Sequence, residues 1–585
     1  MALDGLYGRQ GRRSFLLSLH SSLLTERSSF DSHWREISDF LVPRRSRFNT
    51  SDRNKGDRRN QNIIDSTGGF AVRTLASGLH AGLTSPSRPW FRLGLPDPDL
   101  AKHKPVKEWL HEVARRMAIV FSGSNLYNAL PVVYGDMGLF GTSAVAVIPD
   151  AEELIRAHVY PIGSYNLGLD RRGKVATFTR EYEQSVLQTV QDFGGDYGRP
   201  LAPGQSINWS NISQAVKDHW DRGNYTVPVK ILWVLTPNPD YRPDSNATKY
   251  MRFASCHLEV GAASRGDSGD KVLRESGFKY FPIFAPRWGV TGEDTYGTDS
   301  PGITALGDVK MLQIQQRDKG KAIQKQISPP VQAPTALMNT PVNLIPNGVT
   351  HVDTRDGMAG LRSIYDVRIN LADLSQDMAQ VQYRIQRAFY EDLFLMLQQS
   401  DLSAANRERT AREIEERHEE KLVALGPMLE RTNDDLLNPL IDYTYDRMFD
   451  DGAIPEPPEE LGEGMRFLPE YISMMAQAQK LVDVGRQDRF VQTAMNLAQI
   501  YPEARHKIDV MYLIDQYADQ YGIDPLVIRS TDQAREMFEA EQQQAAAAMA
   551  AQTAKDAAVA GKAASETDLE RPGTALSRMV EQGLL

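Results

Sequence analysis

The sequence predicts an α+β chain, predominantly α-helical, with one β-rich body set between helical regions. Three observations carry this. Apolar residues recur at three- and four-residue steps before Ser143 and again after Pro301. Between them lie short runs rich in β-branched and aromatic residues, separated by turn signals such as Arg172-Gly173. The chain has 585 residues, more than one compact core normally holds, so several units are expected.

Taken in order, Phe15, Leu16, Leu19 and Leu23 form one helical stripe and Phe30, Trp34, Ile37 and Leu41 a second, which Pro43 ends. A basic loop of low hydrophobicity, Arg44–Arg59, follows. A third helix covers about Ser66–Leu83. A fourth starts at Pro105, with Val106, Trp109, Leu110, Val113, Met117 and Phe121 on its apolar face. Strands are predicted at Ser143–Ile148, Ala157–Ile162, Tyr165–Leu169, Val175–Tyr182, Val227–Leu235, Lys249–Val260 and Gly277–Phe281. Helix returns at Ile303–Ile327. A segment punctuated by Pro329, Pro330, Pro334, Pro341 and Pro346 comes next. Leu371, Leu374, Met378, Val381 and Ile385 then recur at alternating steps of three and four, an interhelical seam on a helix expected to reach Gln399. Arg407–Asp450 reads as helix kinked at Gly426-Pro427, and Ile454–Pro458 as a linker. Leu468–Arg535 reads as further amphipathic helices. The alanine-rich stretch after Ala540 reads as a weakly anchored helix or a disordered tail.

Composition narrows the function. Sixty-six basic against 76 acidic residues give a net charge of −10, so the chain does not coat nucleic acid through its whole surface. The single cysteine, Cys256, excludes an intramolecular disulfide and a cysteine-cluster metal site. It is expected half-buried near a strand. No apolar run approaches the roughly 18 residues of a membrane span, and no signal peptide is visible. Catalytic motifs are missing as well. There is no phosphate-binding GxxxxGK[ST] and no GxGxxG after a strand. His111-Glu112 lacks a second histidine, because Arg115 stands in its place. Ser276-Gly-Phe-Lys279 has none of the companion motifs of a serine acyltransferase. A non-enzyme without cofactor or metal is expected.

Several blocks, in order along most of the chain, resemble the head-to-tail connector, or portal protein, of short-tailed, T7-like bacteriophages. They are Trp34-x-x-Ile37-x-x-Phe40-x-x-Pro43, Asp65-Ser-Thr67, Leu75-Ala-Ser-Gly78-Leu79, Thr84 to Phe91, Ser124-Asn125-Leu126-Tyr127 and Gly135 to Thr142. Tyr296-Gly297 through Pro301, Leu306 to Leu312, Pro329-Pro330 and Thr410-Ala-Arg-Glu413 complete the series. The resemblance implies a dodecameric ring at one capsid vertex, a conduit for double-stranded DNA in packaging and ejection. It implies contacts with major capsid protein and scaffold, with terminase during packaging, with tail adaptor and nozzle proteins, and with internal core proteins, after assembly in the host cytoplasm. It divides the chain into a wing (1–300), a first stem helix (301–327), a clip (328–365), a second stem helix (366–398), a tunnel loop (399–409), a wing helix (410–453), a helical crown (454–539) and a flexible tail (540–585).

A conduit must not grip its DNA, since every neutralised phosphate adds affinity through counterion release. Sparse cations on an acidic chain suit that. Lys310, Arg317 and Lys321 fall on one helix face, with Lys325 beside it. These four, with Arg407 and Arg409 of the tunnel loop, are the expected channel residues, and pairing with acids is the competing role. Pro334, Thr335, Leu337, Asn339, Pro341 and Asn343 are expected to dock tail or motor proteins. Leu371, Leu374, Met378, Val381 and Ile385 are expected to pack the stem. The alternatives are a nucleic-acid-processing enzyme, for which no acidic metal cluster can be assembled, and a helical adaptor or scaffolding protein without a DNA channel.

Overall fold

The computed structural model describes residues 11–52, 54, 56–97, 100, 103–245, 247–261, 272–327, 331–332, 338, 362–363, 371–400, 425–459, 461, 467–472, 490–494, 496–497, 509–521, 529 and 531–565. One unit comprises Met1–Pro96, Glu112–Pro457 and Gly462–Val482. The other comprises Asp97–His111, Pro458–Leu461 and Asp483–Leu585.

The first unit begins with α1, Arg12–Leu41, one helix where two stripes were expected. The polar stretch between the stripes stays helical because Arg27 is satisfied. Its guanidinium donates to the Gly163 carbonyl at 2.6 Å and pairs with Asp31, one turn on, at 3.2 Å. Helix α2, Thr67–Leu83, and strand β1, Phe91–Gly94, follow. Helix α3, Lys104–Gly123, starts where its proline places it. Helix α4, Leu126–Phe140, was not legible. It is buried on almost every side, so its apolar residues form no stripe. Gly141, with φ of +76°, closes it in the left-handed conformation that glycine adopts without a Cβ penalty.

The β body holds two antiparallel sheets. Strands β2 (Ala144–Asp150) and β3 (Leu154–Tyr160) form a hairpin. Strands β4 (Asn166–Leu169), β5 (Val175–Ser185), β6 (Pro228–Pro237), β7 (Phe253–Glu259) and β8 (Arg274–Phe278) form a five-stranded sheet in that order. Strand β9, Ile283–Phe284, joins the hairpin to give the order β3-β2-β9. Strand β8 starts three residues before the predicted Gly277, because its ladder is anchored where Arg274 faces His257. Two short helices went unread. Ser185 and Gln188 cap α5, Val186–Phe193, as a reciprocal capping box, and Ser213 caps α6, Gln214–Asp221. They cover one face of the sheet around Val229 and Ile231. On the other face, Leu16 of α1 packs on Leu232, Val234, Cys256 and Leu258. Strand β6 is therefore apolar on both sides, and Cys256 is fully buried instead of half-buried.

The burial of His257 makes a testable prediction. It is enclosed, and burial, with Arg274 nearby, holds its imidazole well below the ordinary range. The folded protein keeps it neutral while the unfolded chain protonates near pH 6.5. This contribution to stability is present above that pH and lost below it, by up to about 1.4 kcal/mol per pH unit. His257→Phe keeps the aromatic packing against Trp233. Urea midpoints at pH 7.5 and 5.5 should fall less with acid in this variant than in the wild type. An equal fall in both would refute the assignment.

After β9 come α7, Pro301–Ile327, the short strands β10 (Val331–Gln332) and β11 (Arg362–Ser363), and α8, Leu371–Ala388. The helix expected to run to Gln399 breaks at Tyr390, whose φ is +55°, and resumes as α9, Glu391–Ser400. The break lets Phe389, Leu393 and Phe394 all turn inward. Farther on, Asn433–Leu437 is a π-helical segment held by the buried Asp435–Arg287 pair at 3.2 Å, and the residues before Leu425, which the expected kink at Gly426-Pro427 involves, lie outside the described residues. Leu468–Tyr471 is a strand, β12, where helix was expected. It pairs with β1, and Tyr471 lies parallel to Trp90. In the second unit, Thr531–Ser565 is helical, with exposed side chains over nearly all of its described length.

Candidate channel helices

The pair α7–α8 is built from the Asp65-Ser-Thr67 turn upward. The Asp65 carboxylate accepts from the Thr67 amide at 2.8 Å, which starts α2. Gln313 of α7, itself buried, accepts from the Ile64 and Asp65 amides at 2.7 and 2.8 Å and donates to the Asp65 carbonyl at 2.9 Å. Gln382 of α8 donates to the Asp65 carboxylate at 3.1 Å. One turn thus fixes both helices through side-chain amides.

Their direction follows from two further contacts. Arg384 donates to Asp308 at 2.8 Å, and Gln315 donates to Asp377. Moving seven residues forward along α7 is matched by moving seven back along α8, so the helices are antiparallel. Met378, Val381 and Ile385 are buried on the seam, and Leu374 is half-buried. Ala305, Leu306, Val309 and Leu312 are among the buried residues of α7. The side chain of Leu371 lies outside the described residues.

Lys310, Arg317, Lys321 and Lys325 share one side of α7, away from the centre of that apolar stripe, whereas Lys319 falls on the stripe's own side. They differ in their engagements. Lys310 is ion-paired to Glu36 of α1 and sits 5.8 Å from the Phe40 ring. Lys321 pairs with Asp318 one turn back, at 3.2 Å. Arg317 and Lys325 are exposed, and Lys325 is in the last turn, where the helix dipole favours a cation. Arg407 and Arg409 lie outside the described residues, as do Pro334, Thr335, Leu337, Asn339, Pro341 and Asn343. The segment that carries the latter six is closed at its base by a short antiparallel ladder, Val331 opposite Ser363 and Gln332 opposite Arg362. The basic loop is tied down. Arg45 forms a two-pronged pair with buried Asp136, Arg59 pairs with Asp52, and Arg44 donates to the Asp57 carbonyl at 3.0 Å. Among the described residues no cluster of three metal-ligating side chains is present, and no helix is long and apolar enough to cross a membrane.

Residues 13–528 match the family described as bacteriophage head to tail connecting protein. The chain belongs to that family. It is 44% identical over 557 residues to the portal protein of Salmonella phage epsilon15, covering 95% of this chain and 96% of the relative. It is 40% identical over 556 residues to the probable portal protein of Bordetella phage BPP-1, covering 94% and 96%.

Three of the blocks that carried the connector resemblance, those of Trp34, Gly135–Thr142 and Tyr296–Pro301, meet in space. Trp34 lies edge-on to Tyr296 with ring centroids 5.2 Å apart, and its indole donates to the Phe140 carbonyl at 3.1 Å. The Tyr296 hydroxyl accepts from the Leu167 amide at 2.9 Å. Gly141 and Gly297 touch backbone to backbone. A Cβ on Gly297 would lie 2.0 Å from the Gly141 carbonyl oxygen, so neither position accepts a side chain. The Gly297 amide donates to Thr142 at 2.7 Å. Connector motifs distant in sequence therefore form one junction at the start of α7 and aim that helix. Sequence reading missed Gln313, Gln382, Asp308 and Arg384. Polar residues on a helix look solvated until the partner helix is placed.

Proposed function

We propose that the chain is the subunit of a portal ring, which joins capsid to tail at one vertex and conducts double-stranded DNA in packaging and ejection. Family membership over nearly the whole chain carries this reading. The antiparallel pair α7–α8 supports it, being a stiff rod fixed to the body at one end and joined at the other by a segment with a closed base. In this reading a dodecamer of such pairs lines the channel. Lys310, Arg317, Lys321 and Lys325 supply the sparse positive charge that meets the duplex, with Lys310 and Lys321 also paired to Glu36 and Asp318. The closed segment, 328–365, docks the tail adaptor and, earlier, the terminase. Capsid and scaffold meet the wing, and internal core proteins sit above the ring.

The chemistry is structural. Acidic and basic residues on α7 cancel in part, so phosphates pass with little counterion release. Negative-stain images of purified protein are expected to show rings with a central hole. Nuclease and ATPase assays are expected to give no turnover. A stable monomer at micromolar concentration, measured by sedimentation, would overturn the reading.

A further inference from the structure

A groove of about 730 Å³ lies between the β2–β3 hairpin and the face of the five-stranded sheet. Its floor is one row of side chains in register. Arg180 of β5 faces Trp233 of β6, Trp233 faces His257 of β7, and His257 faces Arg274 of β8. Residues directly opposite in antiparallel strands point to the same side, so all four line the groove. Trp233 and His257 stack at 5.6 Å with planes 11° apart, and each is less than a tenth exposed. Arg180 lies 4.4 Å from the Tyr160 ring, and Arg274 lies 5.4 Å from that of Phe193. The row is a cation, two flat rings and a second cation.

The two guanidiniums are poorly compensated. Neither forms an ion pair among the described residues, and the Nε of each is buried without a hydrogen bond. The Tyr160 hydroxyl serves Arg180. Asp192 acts on Arg274 only from a distance and accepts from Gln184. Among the described residues no carboxylate lines the groove. Two half-buried cations without paired anions are costly, and an incoming anion relieves that cost.

Spacing selects the anion. Three strand intervals separate Arg180 from Arg274, about 14 Å between backbones. One phosphate or carboxylate cannot serve both. In an extended peptide, residues i and i+4 lie about 13 Å apart on the same side, and residue i+2 lies between them on that side. A base would need an open aromatic face, and Trp233 and His257 already cover each other. We infer that this groove binds an extended segment of a partner protein with the pattern acidic–x–apolar–x–acidic. The carboxylates meet Arg180 and Arg274, the central side chain rests against the exposed edge of the Trp233–His257 stack, and the segment crosses the strands at right angles. This goes beyond the portal reading, which names no such surface.

The probe is the peptide acetyl-Glu-Ser-Leu-Ser-Glu-amide, titrated by calorimetry and tryptophan fluorescence into the full-length protein. Binding is expected, with a fluorescence change that Trp233→Phe abolishes although the heat remains. The Gln-for-Glu peptide, and Arg274→Gln, should each weaken binding about tenfold or more. Ser276→Glu retains both arginines and places a carboxylate in the groove, so it should block binding even if Arg180 variants fold poorly. No binding to the folded wild type overturns the inference, as does tighter binding of a thymidine dinucleotide. Rings that fall apart with Ser276→Glu would make the occupant a second copy of this chain and overturn the partner assignment. Intact rings that ignore the peptide would remove the inference and leave the portal reading standing.

Discussion

Val381→Asp is expected to prevent assembly by removing the α7–α8 pair from the folded body. Val381 is fully enclosed on the seam, between Met378 and Ile385. The substitution forfeits the burial of an aliphatic side chain, roughly 1.5–3 kcal/mol. It also leaves a carboxylate without a partner, and the sum reaches about 3–5 kcal/mol. Total stabilities of about 5–15 kcal/mol leave little after such a loss. Met378→Asp should behave alike. Ala379→Asp, one residue along and exposed, should stay within about 0.5 kcal/mol of the wild type. Urea midpoints and size-exclusion profiles check both. If Ala379→Asp disrupts the particle while Val381→Asp does not, the buried face has been misassigned.

The second large effect is expected at Arg45. Its guanidinium makes a two-pronged pair with Asp136, which α4 holds in the interior. Burial pushes the Asp136 carboxyl up to about 6, against the pull of Arg45. The sign follows from that direction. A carboxyl raised on folding contributes most below its unfolded value, near 3.9, and loses that contribution as pH rises through the folded value. Arg45→Met removes the cation paired with Asp136, so Asp136 rises further and the loss continues beyond pH 6. The variant should lie near the wild type at pH 4.5 and fall about 2–3 kcal/mol below it at pH 8. Arg45→Met combined with Asp136→Asn should recover much of the difference at pH 8. A deficit equal at both pH values would show that Arg45 acts by packing alone.

Legibility of the fold followed the asymmetry of each element. Helices with one wet face, such as α2 and α3, declared themselves by period. The strands of the central body declared themselves by β-branched runs between turns. What failed was uniform or local. Helix α4 has no wet face, so it has no period. Helices α5 and α6 are eight residues long, too short for periodicity, although Ser185 with Gln188 offered a capping signal that went unread. The break at Tyr390 depends on Phe394 reaching Gly78, where any Cβ would lie 2.2 Å from the ring. That is a tertiary demand written nowhere in residues 371–400. In the candidate site, the cations could be found by charge and angle. Their engagements could not, because Glu36 is remote in sequence from Lys310.

The seven-residue correspondence between α7 and α8 makes their length divisible. Seven residues are two turns, about 10.5 Å of rise with only about 20° of drift. Excising such a block from each helix together would bring the next matching pair of faces into place and leave the Asp65 anchor untouched. Excising it from one helix alone would slide the partners by two turns and set Asp308 against the wrong level. Related chains can therefore lengthen or shorten this rod by paired heptads while the body that holds it stays the same, and the depth of the passage can evolve separately from its mounting.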